Sequence, residues 1–296
     1  MADLLREPPD RPARLRSLLN GGGPIVAPGV YDALGARLVE QAGFDVVYMT
    51  GFGTSASLLG RPDIGLLGLG EMVDNVRRIV AATDLPVIAD ADTGYGNSLN
   101  VIRTVQEYEQ AGVAGLHIED QVMPKRCGHM EGKEVVPVDE FVGKIDAAVS
   151  ARTNPDLVVM ARTDARAPHG LDDAIDRARR CREAGADVLF VEALRGEDEL
   201  RLVADELAGT PLLFNWVDGG KTPPLALDQI TELGFQIVIY PVTTVLAATA
   251  AMRRALASIR DQGTPAEVMA DHPSFDEFTE LIGLGETTEL EQRFPS

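Results

Sequence analysis

The stretch that decides the fold runs Ala111-Gly112-Val113-Ala114-Gly115-Leu116-His117-Ile118-Glu119-Asp120-Gln121. Its Ala-Gly-Val opening closes a helix, because a glycine just past the last turn supplies the left-handed cap. A short, mostly apolar run follows at once. It lacks the alternation of a half-exposed strand, which suits a strand buried on both faces of a parallel sheet. The same punctuation recurs at Ala42-Gly43-Phe44, Ala184-Gly185-Ala186 and Leu233-Gly234-Phe235. Working outward, strands are predicted at Ile25–Ala27, Val46–Met49, Val87–Ala89, Gly115–Ile118, Leu157–Ala161, Val188–Val191, Leu212–Phe214 and Ile237–Tyr240. Amphipathic stretches lie between them. Leu171–Ala184 sets Ile175, Ala178 and Cys181 on one side, with Asp172, Asp173, Arg179 and Arg182 mostly on the other. Eight strand–helix units favour an α/β fold closed as a (β/α)8 TIM barrel over an open sheet. No Gly-x-Gly-x-x-Gly turn follows the first strand to support the open form. Nothing reads as a linker, so 1–296 is predicted to be one barrel domain, with 264–296 a C-terminal helical extension. Phe275–Phe294 in that extension should be helical, packing on its own barrel or covering a neighbouring subunit.

Composition narrows the function. The chain has 296 residues, 45% of them hydrophobic, and a net charge of -19. Mean hydropathy is -0.01. That charge argues against nucleic acid or an anionic membrane as partner. An anionic substrate would need a locally positive site built from a metal, Arg or Lys. Two cysteines, Cys127 and Cys181, imply no disulfide framework and fit a reducing cytoplasm. The N-terminal segment lacks the apolar core of a signal peptide, and no apolar run is long enough to cross a membrane.

Polar residues collect where strands end, which in a (β/α)8 barrel is the face that carries the active site. Asp90 and Asp92 alternate on an expected extended segment, so both can face one way. With Asp63 and Glu119 they form a carboxylate set with no imidazole close in sequence. Oxygen-only ligation suits Mg²⁺ or Mn²⁺ rather than Zn²⁺. The alternative is that the acids cap the following helices; four on neighbouring strand ends are hard to explain that way. Cys127 lies between Lys125-Arg126 and His129, surroundings that favour a reactive thiolate. A solvated basic loop is the rival reading. Arg162 follows a buried strand and needs a partner, either Glu192 or a substrate carboxylate. His117, inside its strand, reads as structural.

At these residues the chain resembles the isocitrate lyase / phosphoenolpyruvate mutase superfamily. The matching stretches are TGFGTSASLLGRPDIG, DADTGYGN, GLHIEDQ, PKRCGHMEGK, ARTDA and NWVDGGKTP, in that order from Thr50 to Pro223. The resemblance implies a Mg²⁺ enzyme in which Asp90 is the direct ligand and Asp63, Asp92 and Glu119 hold its water shell. It implies that Thr50, Gly51 and Phe52 receive the carboxylate of a 2-oxo or 2-hydroxy acid, together with Arg162. Lys125, Cys127, Gly128 and His129 would belong to a gating loop, with Cys127 the acid/base group. Glu192 and Asn215 would line the rest of the pocket, and Tyr48 would stand near the reacting hydroxyl. Family members exchange a C-terminal helix in homodimers or homotetramers.

Some positions depart from the family's pattern. Val217 replaces a Thr of the 2-methylisocitrate lyases, which removes a donor to a third substrate carboxylate. Trp216 and Asp218 replace Met and Glu, and should narrow or reshape the pocket. Thr243 stands where oxaloacetate hydrolases carry Ser. The motifs lie nearest to 2-alkylmalate lyases of the petal-death-protein kind and to carboxyphosphonoenolpyruvate phosphonomutases. The expected reaction is cleavage of a substituted malate to a 2-oxo acid and a carboxylic acid. P–C bond formation by a phosphonomutase is the first alternative, and 2-methylisocitrate cleavage the second.

Overall fold

The structure is a computed structural model that describes every residue except 1–3, 6, 8, 129 and 296. The strands are β1 (Ile25–Val30), β2 (Val47–Met49), β3 (Val87–Asp90), β4 (Gly115–Glu119), β5 (Val158–Thr163), β6 (Val188–Val191), β7 (Leu213–Asn215) and β8 (Ile237–Tyr240). All ladders are parallel, in the order β6-β5-β4-β3-β2-β1-β8-β7. A parallel bridge between Leu189 and Leu212 joins the two ends, so the eight strands form a nearly closed (β/α)8 barrel. The helices up to the third connection are α1 (Arg11–Asn20), α2 (Ala33–Gln41), α3 (Gly51–Leu59), α4 (Leu69–Ala82) and α5 (Ser98–Gln110). Then follow α6 (Val138–Ala151), α7 (Leu171–Glu183), α8 (Glu197–Glu206), α9 (Leu227–Glu232), α10 (Thr243–Gln262), α11 (Phe275–Leu281) and α12 (Leu284–Arg293).

Each predicted strand is present. Gly43, Gly112, Gly185 and Gly234 all take positive φ at helix ends, which is the left-handed cap the punctuation called for. Most of the core lies between strands and helices. A second layer fills the barrel itself, and α1 closes its N-terminal end. Leu15 and Leu19 of α1 pack there with Ile25, Val46, Ile88, Val158 and other inward residues. Asp10 caps α1 by accepting from the Ala13 amide at 3.1 Å. Arg11 donates to the carbonyls of Val80 (3.0 Å) and Thr83 (2.6 Å), and Arg16 pairs with Asp187 at 2.7 Å. Cations from one helix thus satisfy carbonyls and an acid around the floor of the barrel.

Two expectations need correction. The segment through Asp92 is not extended: Asp92 has φ 47, in a turn after β3. The helical stretch 275–294 is two helices, divided at Gly283, whose φ of 89 cannot continue a helix.

Candidate active site

Strand register assembles the site. Inward residues recur with period two, and each row changes character toward the strand's C-terminal end. Ile88 gives way to Asp90, His117 to Glu119, Met160 to Arg162, Phe190 to Glu192 and Leu213 to Asn215. Asp90 is in register with His117, and Glu119 with Arg162. The rows converge on a cavity of ≈ 40 Å³, room for roughly three waters. Tyr48, Thr50, Phe52, Asp63, Asp90, Lys125, Cys127, Gly128, Arg162, Glu192, Asn215, Val217, Pro241 and Val242 line it. Asp92 and Glu119 lie directly behind this lining through their ion pairs with Lys125 and Arg162. Gly51 abuts Asp90, since a Cβ on it would stand 2.5 Å from Asp90 Oδ2. His129 lies outside the described residues.

The electrostatics are those of paired charges in a dry place. Lys125 Nζ sits 2.6 Å from Asp63 and 2.7 Å from Asp92. Burial works against this ammonium, but Asp92, Asp63, Asp90 and Glu119 together hold its pKa well above the usual lysine value. Arg162 faces three carboxylates: Glu119 at 3.3 Å, Asp164 at 3.0 Å and Glu192 at 3.3 Å. Its guanidinium also lies over the Phe190 ring, 5.1 Å from the centroid. Arg162 therefore pairs with Glu192 and lines the cavity at once, so the two readings of this residue are not exclusive. Glu192 is held in turn by the Asn215 amide (2.9 Å) and the Ala193 backbone N–H (2.7 Å). Ala193 has φ 59, an uncommon conformation for a residue with a Cβ and one that clusters at functional sites.

The acids are not helix caps. Asn97 caps α5, and Asp90 instead accepts the Asp92 amide at 3.0 Å. Burial alone would raise the Asp90 pKa, but His117, Lys125 and Arg162 outweigh it and hold the carboxyl below its usual value. Burial pushes the Glu119 carboxyl well up, and neither of its oxygens receives a hydrogen bond. Among the described residues no three His, Cys, Asp or Glu side chains converge closely enough to ligate one ion directly. The donor chemistry fits a hard cation: oxygen atoms only, buried, with unused acceptor capacity at Glu119.

Thr50 does more than form a turn. It caps α3, its Oγ1 accepting the Gly53 amide at 3.2 Å, so the N-terminus of a nine-residue helix opens beside Asp90. Helix N-termini present free N–H groups and positive potential, which suits a carboxylate. Trp216 does not shape the cavity as expected. Its indole N–H donates to the Leu225 carbonyl at 3.0 Å and its ring packs on Tyr240. Asp218 accepts from Thr243 at 2.6 Å, also outside the lining. Of the departures, Val217 alone lines the cavity, as do Pro241 and Val242.

A family model described as phosphoenolpyruvate phosphomutase matches residues 15–260. The chain belongs to the phosphoenolpyruvate mutase family. Among its relatives, 2,3-dimethylmalate lyase of Eubacterium barkeri is 49% identical, over 95% of this chain and 97% of that protein. A chloroplastic carboxyvinyl-carboxyphosphonate phosphorylmutase of Arabidopsis thaliana is 42% identical, over 95% of this chain and 84% of that one. A solved oxaloacetate acetylhydrolase, bound to 3,3-difluorooxalacetate, superposes with TM-score 0.91 at 40% identity, covering 97% of this chain and 98% of that one. A phosphonopyruvate hydrolase solved with oxalate and Mg²⁺ has TM-score 0.88 at 35% identity, covering 97% of this chain and 99% of that one.

Within this family member, several site residues escaped sequence reasoning. His117 is not merely a strand residue: its Nε2 lies 2.9 Å from the Tyr48 hydroxyl and 3.8 Å from Asp90 Oδ1. Burial lowers its pKa to about 4, so it stands neutral beneath the site. Asp164, Lys133 and Asp120 form a buried layer behind Arg162. The signal for Asp164 was its position two residues after Arg162 on the same inward row. Lys133 carried no signal beyond its place at the end of the PKRCGHMEGK stretch. Conversely, the cations flanking Cys127 in sequence are engaged elsewhere: Lys125 with Asp63 and Asp92, and Arg126 with the Glu131 carbonyl.

Proposed function

We propose that this chain is a carbon–carbon lyase that cleaves a substituted malate, a 2-hydroxy diacid, into a 2-oxo acid and a carboxylic acid, with Mg²⁺ as its cofactor and Mn²⁺ as a substitute. One observation carries the reading: the cavity lining combines charged Asp90, Lys125 and Arg162 with apolar Val217, Pro241 and Val242, and includes Cys127 of the loop. A diacid with an alkyl substituent matches both kinds of lining. A third carboxylate would have fewer cations and donors to meet.

Asp90 would hold the cation, with Asp63, Asp92 and Glu119 around its waters, and the Mg²⁺ found in a related phosphonopyruvate hydrolase supports that choice. When bound, the cation supplies Lewis-acid activation of the substrate's 2-hydroxyl. Arg162 and the N–H groups at the start of α3 hold the adjoining carboxylate. Tyr48 and neutral His117 form the proton-accepting pair beneath the hydroxyl. Loss of that proton drives electrons into the C2–C3 bond, which breaks to leave the 2-oxo acid and the enolate of a second acid. The Cys127 thiol protonates the enolate carbon. Gly128 closes over Arg162 and Glu192 so tightly that a Cβ there would stand 2.5 Å from the guanidinium. Substrate entry therefore requires the 122–134 loop to open, and its closure keeps water from the enolate.

The protein works in the cytoplasm as a homodimer or homotetramer of one barrel domain, the 264–296 extension of one copy lying against another. The outer helices support this. Ser258 is the one buried residue of α10, and Leu246, Met252, Leu256, Ile259, Phe275 and Phe294 are exposed. Light scattering on the full chain measures the assembly directly, and a monomer would overturn that part of the reading. No helix of the described residues is long and apolar enough to cross a membrane.

The chemistry is tested by offering alkylmalates, oxaloacetate, 2-methylisocitrate and carboxyphosphonoenolpyruvate to the enzyme with Mg²⁺. We expect 2-oxo acid release from the alkylmalates, and a loss of roughly 10²–10⁴-fold in Cys127→Ser, the usual range for general acid catalysis. Turnover of the phosphorus substrate alone, with a new P–C bond seen by phosphorus NMR, would overturn the lyase reading in favour of the mutase.

A further inference from the structure

The side chain of Lys133 is 1% exposed, and it is not itself among the residues that line the cavity. Its ammonium donates to the Gly128 carbonyl and, at 2.7 Å, to Asp164 Oδ1. Asp164 in turn accepts from Arg162, from Nε at 3.0 Å and from Nη2 at 3.3 Å. Arg162 Nη2 then meets the Gly128 backbone, which has room there only because it lacks a Cβ. These four residues close a ring: loop tip, ammonium, carboxylate, guanidinium and loop tip again.

The two ends of the ring differ in what anchors them. Lys133 lies at the foot of the loop, where the Val122 amide donates to the Glu134 backbone carbonyl at 2.9 Å and Gln121 pairs antiparallel with Val135. Asp164 is anchored from behind, its amide donating to Asp120 Oδ1 at 2.8 Å. Asp120 also accepts from Thr163 (2.6 Å) and Arg177 (3.2 Å). Gly128 lies at the tip, with Cys127 beside it. When the tip lifts, the foot and Asp164 can stay in place, and the bond from Lys133 to the Gly128 carbonyl is the one that breaks. A buried ammonium that loses an acceptor is costly, because its remaining hydrogens have no water to turn to.

We propose that Lys133 is a positioning residue that latches the 122–134 loop shut and, through Asp164, sets the Arg162 guanidinium as the loop closes. The latch rests on the lyase reading only for its purpose; its bonds stand without it. In the closed state Lys133 draws on Asp164 Oδ1, an oxygen that Arg162 shares, so a change at the loop tip reaches the substrate-binding cation through one carboxylate. A purely structural lysine would neutralise Asp164 and have no bearing on the tip.

The test uses the full-length enzyme without substrate, so failure of the lyase reading leaves it intact. Iodoacetamide labelling of Cys127 and hydrogen exchange across 122–134 are followed in wild type, Lys133→Met and Lys133→Gln. Lys133→Met should label at least about tenfold faster, as expected for loss of one charge-assisted hydrogen bond, with exchange raised in the loop and unchanged in the strands. Lys133→Gln retains a donor for the Gly128 carbonyl and should fall between the two. Wild-type labelling in Lys133→Met would overturn the proposal. So would faster exchange spread evenly over barrel and loop, since that is the mark of a merely structural ion pair.

Discussion

The two ends of this barrel are built from the same strands by opposite rules. At the N-terminal end, inward positions are Ile25, Val46, Ile88, Val158 and Val188, closed by Leu15 and Leu19 of α1. Its charged groups, Arg11 and Arg16, stand at the margin and satisfy carbonyls and Asp187. Four residues or fewer along each strand, the same rows carry Asp90, Glu119, Arg162, Glu192 and Asn215. There the charges are buried in a shared network, where desolvation cancels much of what their attraction contributes. The difference teaches where stability and chemistry are kept: the floor holds the barrel together, and the mouth accepts strain and crowded charge as the condition of function.

The comparison predicts a double dissociation. At the mouth, thorough chelation or Asp90→Ala should remove turnover by at least on the order of 10³-fold, the scale of losing cation stabilisation of the reacting oxygens. Mg²⁺ should restore the chelated wild type and not the variant, while the variant still unfolds cooperatively by circular dichroism. Full activity in the chelated enzyme would remove the cation from the mechanism. At the floor, Leu15→Ala should cost about 2–5 kcal/mol of unfolding free energy, because it empties a fully buried site beneath the strands. Its kcat/KM, measured well below the unfolding midpoint, should stay within about a factor of two, since distant sites act independently. A large loss of activity with unchanged stability in Leu15→Ala would break the comparison outright.

The mouth was more legible in the sequence than the floor. Asp90, Glu119, Arg162 and Glu192 each end an apolar run, and an ionised group that follows a buried strand has few bland explanations. The α1 plug left no such mark. Arg11 and Arg16 sit among prolines and other charges, and resemble a solvated terminus until the strands around them are placed. Asp92 misled in a different way. Alternation with Asp90 suggested an extended pair, but its positive φ shows that the chain turns there, and a conformation so local overrides the period. Lys133 and His117 were illegible for a third reason. Their importance lies in partners distant along the chain, Asp164 and Tyr48, and only the closed barrel brings them together.

The smallest predicted effect tests the apolar part of the cavity lining at the mouth. Val217→Thr barely changes side-chain shape, so it leaves packing almost untouched and adds one hydroxyl facing the cavity. If Val217 is what bars a third carboxylate, that hydroxyl offers the missing donor. Turnover of 2-methylisocitrate should rise relative to an alkylmalate by about three- to tenfold, the net worth of one hydrogen bond. Turnover of the alkylmalate itself should fall, because an alkyl group would then sit against a hydroxyl it cannot bond. Pro241 and Val242 remain apolar in the same lining, so parity between the two substrates is not expected from one substitution. The measurement is the ratio of kcat/KM for the two substrates in wild type and variant, which cancels any shared loss of folded enzyme. An unchanged ratio would mean that Val217 lines the cavity without selecting what enters it. Selectivity would then have to be sought at Phe52 or in the loop that carries Cys127.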